Sequence, residues 1–139
     1  MNKVLIVYWS MTGNTEAMAN ALAEGCTEAG NEVTCVNVSE SPSLDGYDAY
    51  LFGCSSMGDD ALDEAEFNPW FASIEADLKD KKVALFGSYG WGDGQWMRDW
   101  VIRTKEAGAN LYQEGLIVNE SPSDDDLATC KAYAKAFIA

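Results

Sequence analysis

The sequence predicts a doubly wound α/β fold, a parallel sheet with helices on both faces. Three observations carry the prediction. Apolar, β-branched runs alternate with stretches of helical periodicity along the chain, the order that gives parallel sheets flanked by helices. The first run, Val4-Leu5-Ile6-Val7-Tyr8-Trp9, is apolar at successive positions, as a strand covered from both sides must be. The segments after the first, third and fourth runs, residues 10–15, 54–60 and 88–94, are rich in Gly, Ser, Asn and Asp, the residues of turns and loops.

Residues 4–9 are the first strand. Residues 14–29 read as a helix, with Met18, Leu22, Cys26 and Ala29 at helical spacing and Gly30 as its stop. Residues 33–38 and 49–53 are the second and third strands. Pro69 suits the first turn of a helix that continues over 70–78. Residues 82–87, Lys-Val-Ala-Leu-Phe-Gly, are the fourth strand. Residues 95–107 form a helix with Trp96, Trp100 and Arg103 one turn apart. A fifth, uninterrupted strand lies within 109–118. The closing helix spans 124–138, with acids in its first turn, where the helix dipole favours them. Between the third strand and its helix lies a long acidic loop, residues 54–68. Trp9, Trp70, Phe71, Trp96 and Trp100 are assigned to the core.

The length, 139 residues, fits one domain spanning 1–139. With 47% hydrophobic and 23% charged residues the chain is ordinary globular material. Acids outnumber bases 23 to 9, a formal charge of −14. That excludes nucleic acid and anionic membrane surfaces as partners, because both need Lys/Arg clusters. There is no His, so imidazole acid–base chemistry and His metal sites are excluded too. Cys26, Cys35, Cys54 and Cys130 contain no CxxC pair and read as small buried hydrophobes in a reducing compartment. No segment is long enough for a signal h-region or membrane span, so a cytoplasmic protein is expected.

In open parallel sheets ligands bind beyond the carboxyl ends of the strands. The first such loop, Ser10-Met11-Thr12-Gly13-Asn14-Thr15, opens a helix and carries no Lys or Arg. Hydroxyls, an amide and free N–H groups at a helix start make a neutral cradle suited to a single phosphate monoester; the same residues also suit an ordinary N-capping loop. Neither GxxxxGK[ST] nor GxGxxG occurs. The third strand ends Gly53-Cys54-Ser55-Ser56-Met57-Gly58-Asp59-Asp60, and the fourth ends Gly87-Ser88-Tyr89-Gly90-Trp91-Gly92-Asp93-Gly94. Trp91, between glycines, suits a flat partner, with Met57 in the facing loop on its other side; a plug folded into the loop is the competing reading. Phosphate cradle, hydroxyl-lined middle and aromatic clamp together describe a site for a flat ring tethered to a phosphate, and flavin mononucleotide (FMN) is the natural candidate.

These motifs carry a resemblance. Val7-Tyr8-Trp9-Ser10 with Thr12-Gly13-Asn14-Thr15-Glu16, Gly53-Cys54-Ser55 with Met57-Gly58-Asp59, and the long run from Lys81 through Gly94 to Trp96-Met97-Arg98-Asp99 resemble the short-chain, clostridial-type flavodoxin family from end to end. The resemblance implies a flavodoxin-like doubly wound five-stranded parallel sheet of order 2-1-3-4-5. It implies a low-potential one-electron carrier that uses FMN in place of ferredoxin and is not an enzyme with a substrate of its own. By resemblance Ser10, Thr12, Gly13, Asn14 and Thr15, with Met11 in the same loop, hold the phosphate, and Met57 and Trp91 flank the ring. Gly58 turns a backbone carbonyl to flavin N5, and Asp59 and Asp60 lie at the ring edge. Ser55, Ser56, Ser88, Tyr89, Gly90 and Gly92 complete the ring and ribityl contacts, with Asn119 beyond the last strand. Two positions depart from the family pattern: Met11 stands where glycine is usual, and Asp60 where related clostridial proteins carry Glu. A natural Met at position 11 implies a negative φ there.

Implied partners are reductases and ferredoxin-dependent oxidoreductases with basic patches, served by a monomer. Residues 59–66 hold five acids in eight positions, a rim expected to attract such patches and to lower the second one-electron potential. Two alternatives share the topology. A phosphoacceptor signalling domain needs an acid cluster after the first strand and an Asp ending the third, where Ser10-Met11-Thr12 and Cys54-Ser55-Ser56 stand instead. A flavin-dependent quinone or nitro reductase needs further segments, for which this length leaves little room.

Overall fold

The computed structural model describes residues 2–57 and 60–139. In chain order the elements are β1 (Lys3–Trp9), α1 (Asn14–Glu28), β2 (Glu32–Asn37), β3 (Ala49–Cys54), α2 (Phe67–Ile74), β4 (Lys82–Tyr89), α3 (Gln95–Glu106), β5 (Asn110–Leu111), β6 (Leu116–Asn119) and α4 (Asp124–Ile138). The strands are parallel, in the order β2-β1-β3-β4-β5, with β6 also on β4. This is the expected 2-1-3-4-5 sheet.

Alternation along β1 builds two cores. Leu5 and Val7 face the layer of α2 and α3, where Phe67, Phe71, Trp96 and Trp100 are buried. Val4 and Ile6 face α1 and α4, against Met18, Leu22, Cys130 and Phe137. All four β1 residues are fully buried, each worth about 1.5–3 kcal/mol relative to exposure. Helices α1 and α4 approach closely at Gly25, where a Cβ would lie 2.6 Å from the Lys131 carbonyl oxygen. Ser123 caps α4 in a reciprocal box with Asp126. Trp9 packs on the first core from a half-buried position, and Trp70 lies within it.

The structure differs from the sequence reading in two elements. The helix after the acidic loop begins at Phe67, two residues before Pro69, and ends in a 3₁₀ turn over Glu75–Asp77. The fifth strand is interrupted. Leu111 faces Val83 and Leu116 faces Phe86, so residues 112–115 stand against only Ala84 and Leu85. Gln113 (φ 55°) and Gly115 (φ 89°) take left-handed backbone there and break the ladder.

Candidate functional site

The carboxyl ends of β1, β3 and β4 and the segment after β6 surround a cleft of about 430 Å³. Met11, Thr12, Asn14, Ser55, Ser56, Ser88, Tyr89, Gly90, Glu120 and Ser121 line it. A smaller cleft of about 290 Å³ lies at the opposite end of the sheet, by Lys3, Glu32 and Tyr47, where the strands begin. In this architecture ligands are bound at the carboxyl ends, so the first cleft is the candidate.

Its floor is the β1–α1 loop. Gly13, at φ 94°, makes the left-handed turn into α1, a conformation that costs a side-chain-bearing residue about 1–2 kcal/mol. Ser10 Oγ accepts hydrogen bonds from the Gly13 and Glu16 amides at 3.0 and 3.2 Å, fixing the loop from within. The Met11 amide donates to Ser55 Oγ at 3.4 Å. The amides of Thr12, Asn14 and Thr15 have no acceptor among the described residues. Three donors at the positive end of a helix, in a cleft lined by no Lys or Arg, suit an anion held by hydrogen bonds and dipole. The donor set therefore fits the phosphate of FMN. Met11 is absent from the residues with positive φ and is exposed: its backbone is unstrained, as its chemistry implied.

Thr15 is placed otherwise than a surface ligand. It is fully buried, and its Oγ1 lies 2.7 Å from Ser55 Oγ and 2.9 Å from Ser88 Oγ while accepting from the Ser88 amide at 3.1 Å. One hydroxyl has one donor and two acceptor sites, so these bonds use its side chain completely. Its hydroxyl joins α1 to the ends of β3 and β4.

On the ring side Trp91 is 66% exposed, which rules out a plug folded into the loop. Gly92 follows at φ 84°, so close to Asp60 that a Cβ would lie 3.0 Å from the carboxylate. Met57 is half-buried; its amide donates to the Ala61 carbonyl at 2.9 Å and its carbonyl accepts from the Asp60 amide at 2.8 Å. Asp60, at φ 57°, turns its carboxylate to α3 and accepts from Ser56 Oγ (3.2 Å) and the Trp96 amide (3.3 Å). The roles read for Gly58 and Asp59 fall on residues outside those described. Asn119 ends β6 and donates its side-chain amide to the Tyr89 carbonyl at 3.3 Å.

The acidic loop is not a uniformly solvated rim. Asp63 is buried, and its carboxylate accepts from the Glu66 and Phe67 amides at 2.8 and 2.9 Å, capping α2. Glu120 and Ser121 line the cleft without having been singled out. Asn119 stands next to them, at the end of β6.

No thiol here is activated. Cys54, behind the cleft, is pushed up to about 12 by burial, and burial raises Cys26, Cys35 and Cys130 to about 11. All four cysteines are free. Tyr8 donates to Glu16 at 3.1 Å and is held at about 12, by burial first and then by that carboxylate. No metal-binding cluster of Cys, Asp or Glu occurs among the described residues, and no described helix is long and apolar enough to cross a membrane.

Comparison with known proteins agrees with this geometry. The flavodoxin family model matches residues 6–133. The chain is 48% identical over 132 residues to a flavodoxin of Clostridium beijerinckii, covering 94% of this chain and 95% of that one. It is 44% identical over 135 residues to a flavodoxin of Megasphaera elsdenii, covering 96% of each. The solution structure of two-electron reduced Megasphaera elsdenii flavodoxin superimposes with a TM-score of 0.86 over 96% of this chain and 97% of that one.

Proposed function

The chain belongs to the flavodoxin family, and from that premise we propose how its own residues serve the family's task. It is an FMN-binding electron carrier, not an enzyme with a substrate of its own, and it passes electrons to redox partners. The reductase and phosphoacceptor alternatives find no support. FMN, when bound, supplies the one-electron chemistry; the protein holds it, shields it from water and sets the electrostatics around it.

The amides of Thr12, Asn14 and Thr15, with the Thr12 and Asn14 side chains, receive the phosphate. Ser10 shapes this loop from inside. Ser55, Ser56, Ser88, Tyr89 and Gly90 line the path of the polyol and ring, and Trp91 with Met57 flanks the ring. Gly58, Asp59, Asp60 and Gly92 belong to the ring's surroundings. We further propose that residues 1–139 act as one domain, as a cytoplasmic monomer, and that the acidic surface selects oxidoreductases with basic patches.

The observation that carries the site assignment is the group of unpartnered amides at the start of α1, two of them from Thr12 and Asn14 in the lining of a cleft without Lys or Arg. Such a cradle serves one terminal phosphate and offers nothing to an adenylate. Stripping the flavin and titrating riboflavin, FMN and FAD tests this. FMN should bind tightest, with FAD at least about a hundredfold weaker, the loss of roughly 2.7 kcal/mol. Equal affinity for all three would overturn the reading.

A further inference from the structure

We propose that the outer side of β2 binds an extended, basic segment of a partner protein, which pairs with it as an added strand. β2 ends the sheet, with β1 on one side and no strand among the described residues on the other. The Glu32 amide donates to the Asn2 carbonyl at 3.0 Å, and β1 and β2 run in parallel register from Lys3 and Glu32 to Tyr8 and Asn37. Alternate residues of a parallel strand serve the same neighbour, so Glu32, Thr34 and Val36 turn their backbone groups to β1. Val33, Cys35 and Asn37 turn theirs outward. Among the described residues nothing bonds to the main-chain groups of those three. They form a row of N–H and C=O groups spaced for one more strand. No residue of β2 is buried, so the row is within reach. Val33-Thr34-Cys35-Val36-Asn37 holds no charge, Pro or Gly, and its β-branched side chains suit strand pairing.

Charge decides the occupant. A cleft of about 290 Å³ at the amino end of β2 is lined by Glu32 and Thr34 with Lys3, Asp45, Gly46 and Tyr47. Side chains at every second position of an added strand share one face, where this cleft takes one of them. Glu32 and Asp45 make it acidic, and Lys3 Nζ already lies 3.9 Å from the Glu32 carboxylate. Farther along the strand Glu16 acts on the Cys35 thiol, which burial first and then this carboxylate push up to about 11. Exposed Glu40 follows just after the strand. Four carboxylates against one ammonium attract Lys and Arg side chains. They repel a second copy of this chain, which brings the same acids to the same place and a further formal charge of −14. None of these residues lines the cofactor cleft, so the contact is distinct from the FMN site.

The test uses the FMN-loaded protein and a capped peptide of about seven residues alternating Lys and Val, long enough for a strand of this size. Amide hydrogen exchange, followed residue by residue by NMR, is the readout. In the free protein Val33, Cys35 and Asn37 should exchange faster than Thr34 and Val36, whose amides are bonded to β1. Saturating peptide should slow the outward amides at least about tenfold and leave Thr34 and Val36 nearly unchanged, because pairing withdraws only the former from water. The same peptide N-methylated at every residue keeps its charges and loses its backbone donors; it should bind at least about tenfold more weakly. A peptide with Glu in place of Lys should not bind. The double variant Glu32→Gln, Asp45→Asn should weaken the Lys peptide about threefold or more, through lost attraction alone. Equal binding of the N-methylated peptide, protection confined to amides outside β2, or no binding of the Lys peptide would overturn the proposal. So would a dimer of the free protein in sedimentation with Val33, Cys35 and Asn37 already protected, since a second copy would then be the occupant.

Discussion

Met11 and Trp91 are two of the large apolar side chains most exposed on the molecule, and both belong to the loops around the cleft. For Met11 the sign of one mutation follows from its backbone. Because its φ is not positive, glycine relieves nothing and only widens the unfolded ensemble. Met11→Gly should therefore destabilise the flavin-free protein by about 0.5–1 kcal/mol, read as a lower denaturant midpoint with an unchanged slope. Trp91, flanked by Gly90 and Gly92, makes little use of its indole in the folded chain. Trp91→Ala should leave the unfolding midpoint of the flavin-free protein within about 0.5 kcal/mol of wild type, as surface changes usually do. It should weaken FMN by roughly 1–3 kcal/mol, the range for a lost stacking platform, and abolish the quenching of indole fluorescence on binding. A midpoint shift without an affinity change would reverse that assignment.

At the scale of elements, the acidic segment before α2 contains two kinds of carboxylate. Asp63 is buried and caps the first amides of α2, whereas Glu64 and Glu66 are exposed. Asp63→Ala should cost about 1–3 kcal/mol, because two amides lose their buried charged acceptor, and Glu64→Gln less than about 0.5 kcal/mol; chemical unfolding of the two variants gives the comparison. The strands and helices themselves were legible, because both faces of β1 are apolar and the helices carry a clear periodicity. Two features that escaped the sequence share one physical cause. Gln113 and Glu120 take left-handed backbone without being glycine, so residue type announced neither the break in the fifth strand nor the turn that brings Glu120 to the cleft. The buried contacts of the Thr15 hydroxyl with Ser55 and Ser88 were not legible either, because they join residues 40 and 73 positions apart.

For the whole molecule, a formal charge of −14 puts repulsion into every encounter with an anion, including the flavin as it gains electrons. FMN, when bound, would supply two one-electron couples, and the one that leaves the ring more negative would feel the chain's carboxylates most. Charges about 10 Å apart at an effective dielectric near 20 interact by roughly 1–2 kcal/mol before screening. Neutralising Asp60, Glu64 and Glu66 to amides should raise the second one-electron potential stepwise, by on the order of tens of millivolts per charge, and move the first much less. The same variants should flatten the fall in electron-transfer rate with added salt. Asp63, whose carboxylate holds the Glu66 and Phe67 amides, is kept so that stability and field are not changed together. Redox titration and stopped-flow measurement over ionic strength check both outcomes; equal shifts in both couples would show that these acids do not control the potential.

The interruption between β5 and β6 has a consequence for crowded solution. An outermost strand offers its free amides and carbonyls as a template on which another chain can grow a sheet. Here that template is cut into segments of two and four residues, Asn110–Leu111 and Leu116–Asn119, with left-handed turns at Gln113 and Gly115 between them. A stranger's strand finds no continuous row to pair with along this border. The two surplus residues that spoil the regularity of the sheet act as a guard against aggregation.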